Sequence, residues 1–271
     1  VQKALKCGPH GARSTTTEQP NARRSHIEMI HYHGLPMTPE AAAATIMRNR
    51  HAFVSFAHPA QVALAAEVCS TFALDNGAFS AWRSGRAVEW SQYYGWVAAW
   101  RVPACDFAVI PDVIDGDEEA NDALIAEWPH GTFGVPVWHL HESIARLRRL
   151  AEVWPRVALG SSGDFAQIGS RQWWARMTDA FDAICDNGFP ITRVHGLRML
   201  DPEVTAAFPF ASADSTNVAR NIGIDSAWRG TYTPISKAAR GVVMADRIEA
   251  THSPAVYRRP QITAQLFKDT P

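Results

Sequence analysis

The stretch "FALDNGAFSAW", Phe72 to Trp82, begins with an apolar run that ends in Asp75, followed at once by Asn76, Gly77, Ala78 and Phe79. It reads as a buried strand that delivers a carboxylate to its C-terminal tip, where a tight turn starts. A charge at the end of a hydrophobic strand is expensive unless the place has a use for it. From residue 50 onward the pattern recurs: a short apolar strand, a polar tip, then a helical stretch. The strands predicted are 52–57, 71–76, 106–113, 134–141, 156–162, 191–199 and 209–215, with an eighth at either 230–233 or 241–246. Amphipathic helices are predicted at 59–69, 88–100, 120–128, 142–154 and 170–185. Strands alternating with helices imply βα units and a parallel sheet. Seven or eight units in so short a chain predict an α/β fold, a single (β/α)8 TIM-type barrel from about residue 45 to 250.

Length and composition allow a sizeable core in one or two domains, and the lack of internal repeats and linkers favours one. The chain has 271 residues, 46 % of them hydrophobic, and its charges nearly cancel at net −1. No global basic field points to nucleic acid, although a local patch remains open. Arg146, Arg148 and Arg149 lie on one predicted helix, where a solvated face is the plainer reading and contact with a phosphate backbone the other. Four scattered cysteines make neither a disulfide framework nor a CxxC zinc cluster, so a cytoplasmic location is expected. No apolar run approaches the roughly 18 residues of a membrane span. Residues 1–28 read as a disordered leader or extension, leaving 29–271 as the catalytic domain with its C-terminal tail. No GxGxxG or GxxxxGK[ST] follows the first strand, so no nucleotide phosphate loop is expected, and no cofactor or metal.

In a barrel, strand C-termini face a common mouth. Collecting them gives Asp75, Asp112, His139 with His141, Ser161 with Ser162, His195 and Asp214. Each alone has a plain reading as a turn former, helix cap or hydrogen-bonded structural residue. Three carboxylates converging on one mouth should raise at least one pKa. Trp173 and Trp174 are expected to pack in the outer layer. The acidic run from Asp115 to Glu119 is expected to be a solvated turn and helix start.

The ordered set of strand ends resembles the catalytic barrel of tRNA-guanine transglycosylases and their DNA-acting relatives. "DNGAF" (75–79), "IPDVID" (110–115), "LGSSG" (159–163) and "SADSTNVARN" (212–221) carry the resemblance. It implies Asp214 as nucleophile and Asp75 as general acid/base. It further implies Asn76, Gly77, Phe79, Asp112, His139, His141, Gly160, Ser161, Ser162, His195, Asn217 and Arg220 as substrate-binding residues, with Phe79 stacked on the target base. The implied reaction is cleavage of the N-glycosidic bond of a modified base in nucleic acid, by excision or by exchange with a free base as second substrate. No CxCxxC follows Cys185, so the zinc site of the tRNA enzymes is missing, which favours DNA as the partner. Two rival readings stand beside this one. His31 with His33 and His139 with His141 form His-x-His pairs that could hold a metal with Asp214 in a hydrolase. A barrel that grips a modified base without cleaving it is the other.

Overall fold

The computed structural model describes residues 29–224 and 232–260. The predicted leader at 1–28 and the first half of the candidate strand at 230–233 lie outside the described residues. The strands are β1 (Ile30–Leu35), β2 (His51–Ser55), β3 (Thr71–Asp75), β4 (Cys105–Val109), β5 (Gly134–Val135), β6 (Val137–His139), β7 (Arg156–Gly160), β8 (Cys185–Asp186), β9 (Phe189–Pro190), β10 (Arg193–Gly196) and β11 (Ser212–Ser215). The helices are α1 (Glu40–Met47), α2 (Val62–Val68), α3 (Ala78–Ser84), α4 (Trp90–Trp100), α5 (Glu118–Glu127), α6 (Ile144–Val153), α7 (Arg171–Ile184), α8 (Pro202–Ala207), α9 (Asn217–Asn221) and α10 (Lys237–Glu249).

Nine strands form one parallel sheet in the order β5-β4-β3-β2-β1-β11-β10-β7-β6, while β8 and β9 make a separate antiparallel hairpin. The two end strands of the large sheet are consecutive in the chain, with Pro136 alone between them. Proline has no N–H to give a ladder, so it interrupts strand pairing where it stands. Its carbonyl still accepts from Ala158 N at 2.9 Å, while Ile110 N donates to Val135 O on the other side at 2.9 Å. The sheet therefore curls into a nearly closed barrel with its seam at Pro136.

Period-two alternation sorts the strand residues between barrel interior and outer layer. Tyr32, Phe53, Ala73, Phe107, Val109, Val135, Val137 and Ala158 pack together inside. The residues between them pack outward. Ala52, Val54, Phe72, Leu74 and Ala108 meet α1, α2, α4 and α10. Trp138, Val157, Leu159, Val194 and Ala213 meet α6, α7 and α8, where Trp173 and Trp174 are buried against Phe208. At the N-terminal end of the barrel Asp106 accepts from Tyr32 Oη at 2.8 Å and from Arg156 at 2.9 Å, and the Arg156 guanidinium lies 4.4 Å from the Phe107 ring centre.

Three expectations need correction. The barrel begins at β1, which was not expected as a strand because prolines follow it closely. Segment 241–246 is not a strand but the middle of α10, whose Gly241 and Ala245 are buried, Gly241 against Ile46 of α1 and Ile222. Arg146 is no solvated charge: it is fully buried, bonded to Glu142 (2.6 Å), Asp122 (2.9 Å) and Val137 O (3.0 Å).

Candidate active site

Alternation that puts Ala73 inside also puts Asp75 inside, two residues on and at the C-terminal rim. Ser55 of β2 pairs with it in register. The turn that follows needs Gly77: its φ is +79°, and a Cβ there would sit 2.9 Å from Ala57 N. Gly77 N donates to Asp75 Oδ2 at 3.2 Å. Asn76 is buried and ties the rim together, donating to Ile110 O (2.8 Å) and to Asp112 Oδ1 (2.6 Å), while its own oxygen accepts from Ala78 N (2.8 Å).

Asp112 is buried, and its second oxygen lies 2.9 Å from His139 Nε2. Asp112 thus engages Nε2 and leaves Nδ1 as the ring's second nitrogen. That Nδ1 has no partner among the described residues. It faces Gly160, where a Cβ would come within 3.1 Å. The His139 backbone N–H is held by Glu142 Oε2 at 2.8 Å. His141 stacks on His139 with ring centres 5.7 Å apart, and its own nitrogens meet Ser162 Oγ (2.7 Å) and Gly116 O (2.9 Å). Ser161 accepts from the Trp173 indole at 2.9 Å, so its hydroxyl oxygen serves the outer layer.

On the opposite wall His195 is buried, with Nδ1 2.8 Å from Ser212 Oγ and its ring stacked on Phe53. Its Nε2 stands 3.5 Å from Asp214 Oδ1, a charge contact. Burial pushes the His195 pKa down, and Asp214 only partly offsets it. Asp214 is buried and accepts from the Arg198 backbone N–H at 2.7 Å. Asn217 and Arg220 are exposed on α9, with Asn217 bonded to Asn221 in the same helix.

Asp75, Asp112 and Asp214 thus share the rim, and the electrostatics follow. Burial lifts the Asp75 pKa to about 6; the Asp214 and Asp112 charges add to the rise, and Ser55 and the Gly77 amide oppose it. A carboxyl that exchanges its proton near neutral pH is suited to general acid–base work.

Arg198 was not singled out in the sequence. It sits two residues beyond β10, in a left-handed turn with φ +57°, and its guanidinium carbon lies 3.5 Å from the centre of the Phe79 ring. Phe79 thus has one face covered by a cation, where an incoming base was expected. A non-glycine residue in that backbone region is uncommon, and nothing in "HGLRML" announces it.

The metal-hydrolase alternative is also corrected. His31 and His33 alternate outward from β1: His31 Nε2 is 2.6 Å from Thr251 O, and His33 Nε2 is 2.8 Å from Glu249 at the end of α10. They cannot join His139, His141 and Asp214 on the inner rim, because strand alternation puts the two sets on opposite faces. Among the described residues no group of three or more His, Cys, Asp or Glu side chains is arranged to hold a metal ion. Nor is any described helix long and apolar enough to cross a membrane.

Neither a family model nor a curated protein matches the sequence. Among solved structures the chain is similar to the YdjI aldolase from Escherichia coli K12, with a TM-score of 0.50 and 10 % identity over 83 % of this chain and 90 % of that one. At that identity the likeness speaks for the α/β barrel fold. It also overturns the functional expectation: cleavage of an N-glycosidic bond in nucleic acid, with the modified-base binder beside it, finds no counterpart in it, and this solved structure of like fold is an aldolase.

Proposed function

We propose that this chain is an enzyme whose barrel, with Gly134–His139 counted as one strand interrupted at Pro136, comprises eight βα units, and that its mouth carries out aldol-type lyase chemistry on a small hydroxy-carbonyl compound. The observation that carries this reading is Asp75, a half-buried carboxyl on the inner rim with a pKa of about 6. Above that pH it is a base strong enough to accept a hydroxyl proton in a concerted step, and below it an acid. The aldolase named among the solved structures adds support at the level of fold.

In the reaction, the Asp75 carboxylate takes the proton of the β-hydroxyl. The C–C bond between the α and β carbons breaks, and its electron pair passes to the carbonyl-bearing fragment as an enolate. The β carbon leaves as an aldehyde, and the enolate recovers the proton from the Asp75 carboxyl. Arg198, beside the rim, supplies positive charge toward the enolate oxygen. Asp112 and Asn76 fix the adjoining wall, and Asp214 positions the turn that carries Arg198.

The test is aldehyde release from a panel of small β-hydroxy-carbonyl compounds, followed with a coupled reductase. Wild type is expected to turn over at least one of them, and Asp75→Asn to lose roughly 10²–10⁴-fold in kcat, the worth of general acid–base help. Undiminished release by Asp75→Asn would overturn the reading, and so would wild type inert toward the whole panel.

A further inference from the structure

The carboxylates at the rim all have internal donors: Gly77 N–H for Asp75, Asn76 and His139 for Asp112, and Arg198 N–H for Asp214. The Arg198 side chain is the reverse case. Its guanidinium is stacked on Phe79, yet among the described residues it has no hydrogen-bonding partner and no ion pair, although Asp214, Asp75 and Asp112 all act on its charge. Stacking uses only the face of the group. The five N–H donors lie in its plane and point outward from the ring, in the fork that matches carboxylate or phosphate oxygens.

Three independent constraints fix this arginine in advance. Its backbone is held in the left-handed region, its N–H is anchored on Asp214, and its side chain is laid over Phe79, in the first turn of α3 two residues after Gly77. A second cation, Arg83, lies 5.9 Å from the centre of the same ring. Arg198 is exposed to solvent, so its in-plane donors are open to an incoming group, and holding a long, rotamer-rich side chain in place there costs entropy. We infer that Arg198 is the specificity-determining residue of the mouth, and that it receives an anionic group, carboxylate or phosphate, carried by the substrate. The assignment rests on the mouth being the reaction site proposed above. It narrows the substrate class to hydroxy-carbonyl acids or phosphate esters and excludes neutral polyols.

The test is calorimetric titration of the full chain with glycolate, inorganic phosphate and neutral glycolamide. Wild type is expected to bind one of the anions and to bind glycolamide more weakly; which anion binds distinguishes the carboxylate from the phosphate source. Arg198→Met keeps an apolar side chain over Phe79 and should lose roughly 10- to 100-fold in that affinity, the worth of a charge-assisted bidentate contact. Arg198→Lys keeps the charge without the fork and should fall between. Circular dichroism on both variants checks that the fold is retained. Anion binding by Arg198→Met equal to wild type overturns the inference, as does a wild type that binds neither anion. Asp75→Asn should keep anion binding while losing turnover. If it keeps both, Asp75 is not the base of the lyase reaction, and the anion site stands.

Discussion

Asp75 concentrates the chemistry at the scale of single residues. Its folded pKa of about 6 lies above the ordinary 3.8, so the native state holds a proton that the unfolded chain has already released. The stability this group contributes is present below about pH 4 and is lost as pH rises through 6. Asp75→Asn should therefore melt higher than wild type at pH 8, by up to roughly 3 kcal/mol, and show no gain at pH 3.5. Thermal melts of both proteins across that range check it; an equal gain at both ends would mean that the substitution acts through packing. Gly77→Ala should cost about 1–3 kcal/mol, because a side chain at φ +79° is strained and its Cβ would meet Ala57 N. Asp75, Asp112, His139 and Asp214 were legible as rim residues because each ends or closely follows an apolar run; His195 lies one layer deeper, its ring against Phe53 and Phe107. Arg198 was not, because its place depends on a backbone conformation that no residue type at that position dictates.

Elements hold these residues in place through a buried network at the start of α6. Glu142 takes the His139 N–H, Asn121 Nδ2 (2.9 Å) and Arg146 Nη1, and Arg146 reaches on to Asp122. Glu142→Ala would leave the Arg146 charge buried beside a more exposed Asp122, at a cost of about 3–5 kcal/mol. Denaturant unfolding measures that loss, and the His139 ring resonances should broaden in the variant. A change under about 1 kcal/mol would show that the network is solvated. The helix pattern of "ESIARLRRLAEVW" was readable from its period, and α6 spans Ile144–Val153 with Leu147, Leu150 and Ala151 inward. Burial of Arg146 was not, since an arginine between apolar positions also suits a wet face, and its acidic partners come from α5 and from the turn before α6. The strand at β1 was missed because prolines follow it closely. Its two histidines point outward, where His33 meets Glu249 of α10 and His31 the Thr251 carbonyl just beyond that helix.

For the molecule as a whole, the two ends of the barrel divide the work. Apolar rings fill the middle, the Tyr32–Asp106–Arg156 cluster closes the N-terminal end, and the carboxylates gather at the other. Asp106→Asn removes the partner of Arg156 and should cost about 1–3 kcal/mol while leaving the titration of the mouth unchanged. The repeat of strand and helix made the α/β architecture readable from sequence, because period-two and period-3.6 patterns survive in single segments. Closure was harder to read, since it depends on strands far apart in the chain, with β1 placed between β2 and β11. The central claim is that the mouth is a proton-transfer site with Asp75 as its titrating group. A carbon-detected NMR titration of the side-chain carboxyl, assigned by comparison with Asp75→Asn, tests it most directly. A midpoint near pH 6 is the expected result, and a midpoint near 4, that of an ordinary solvated aspartate, would contradict the account.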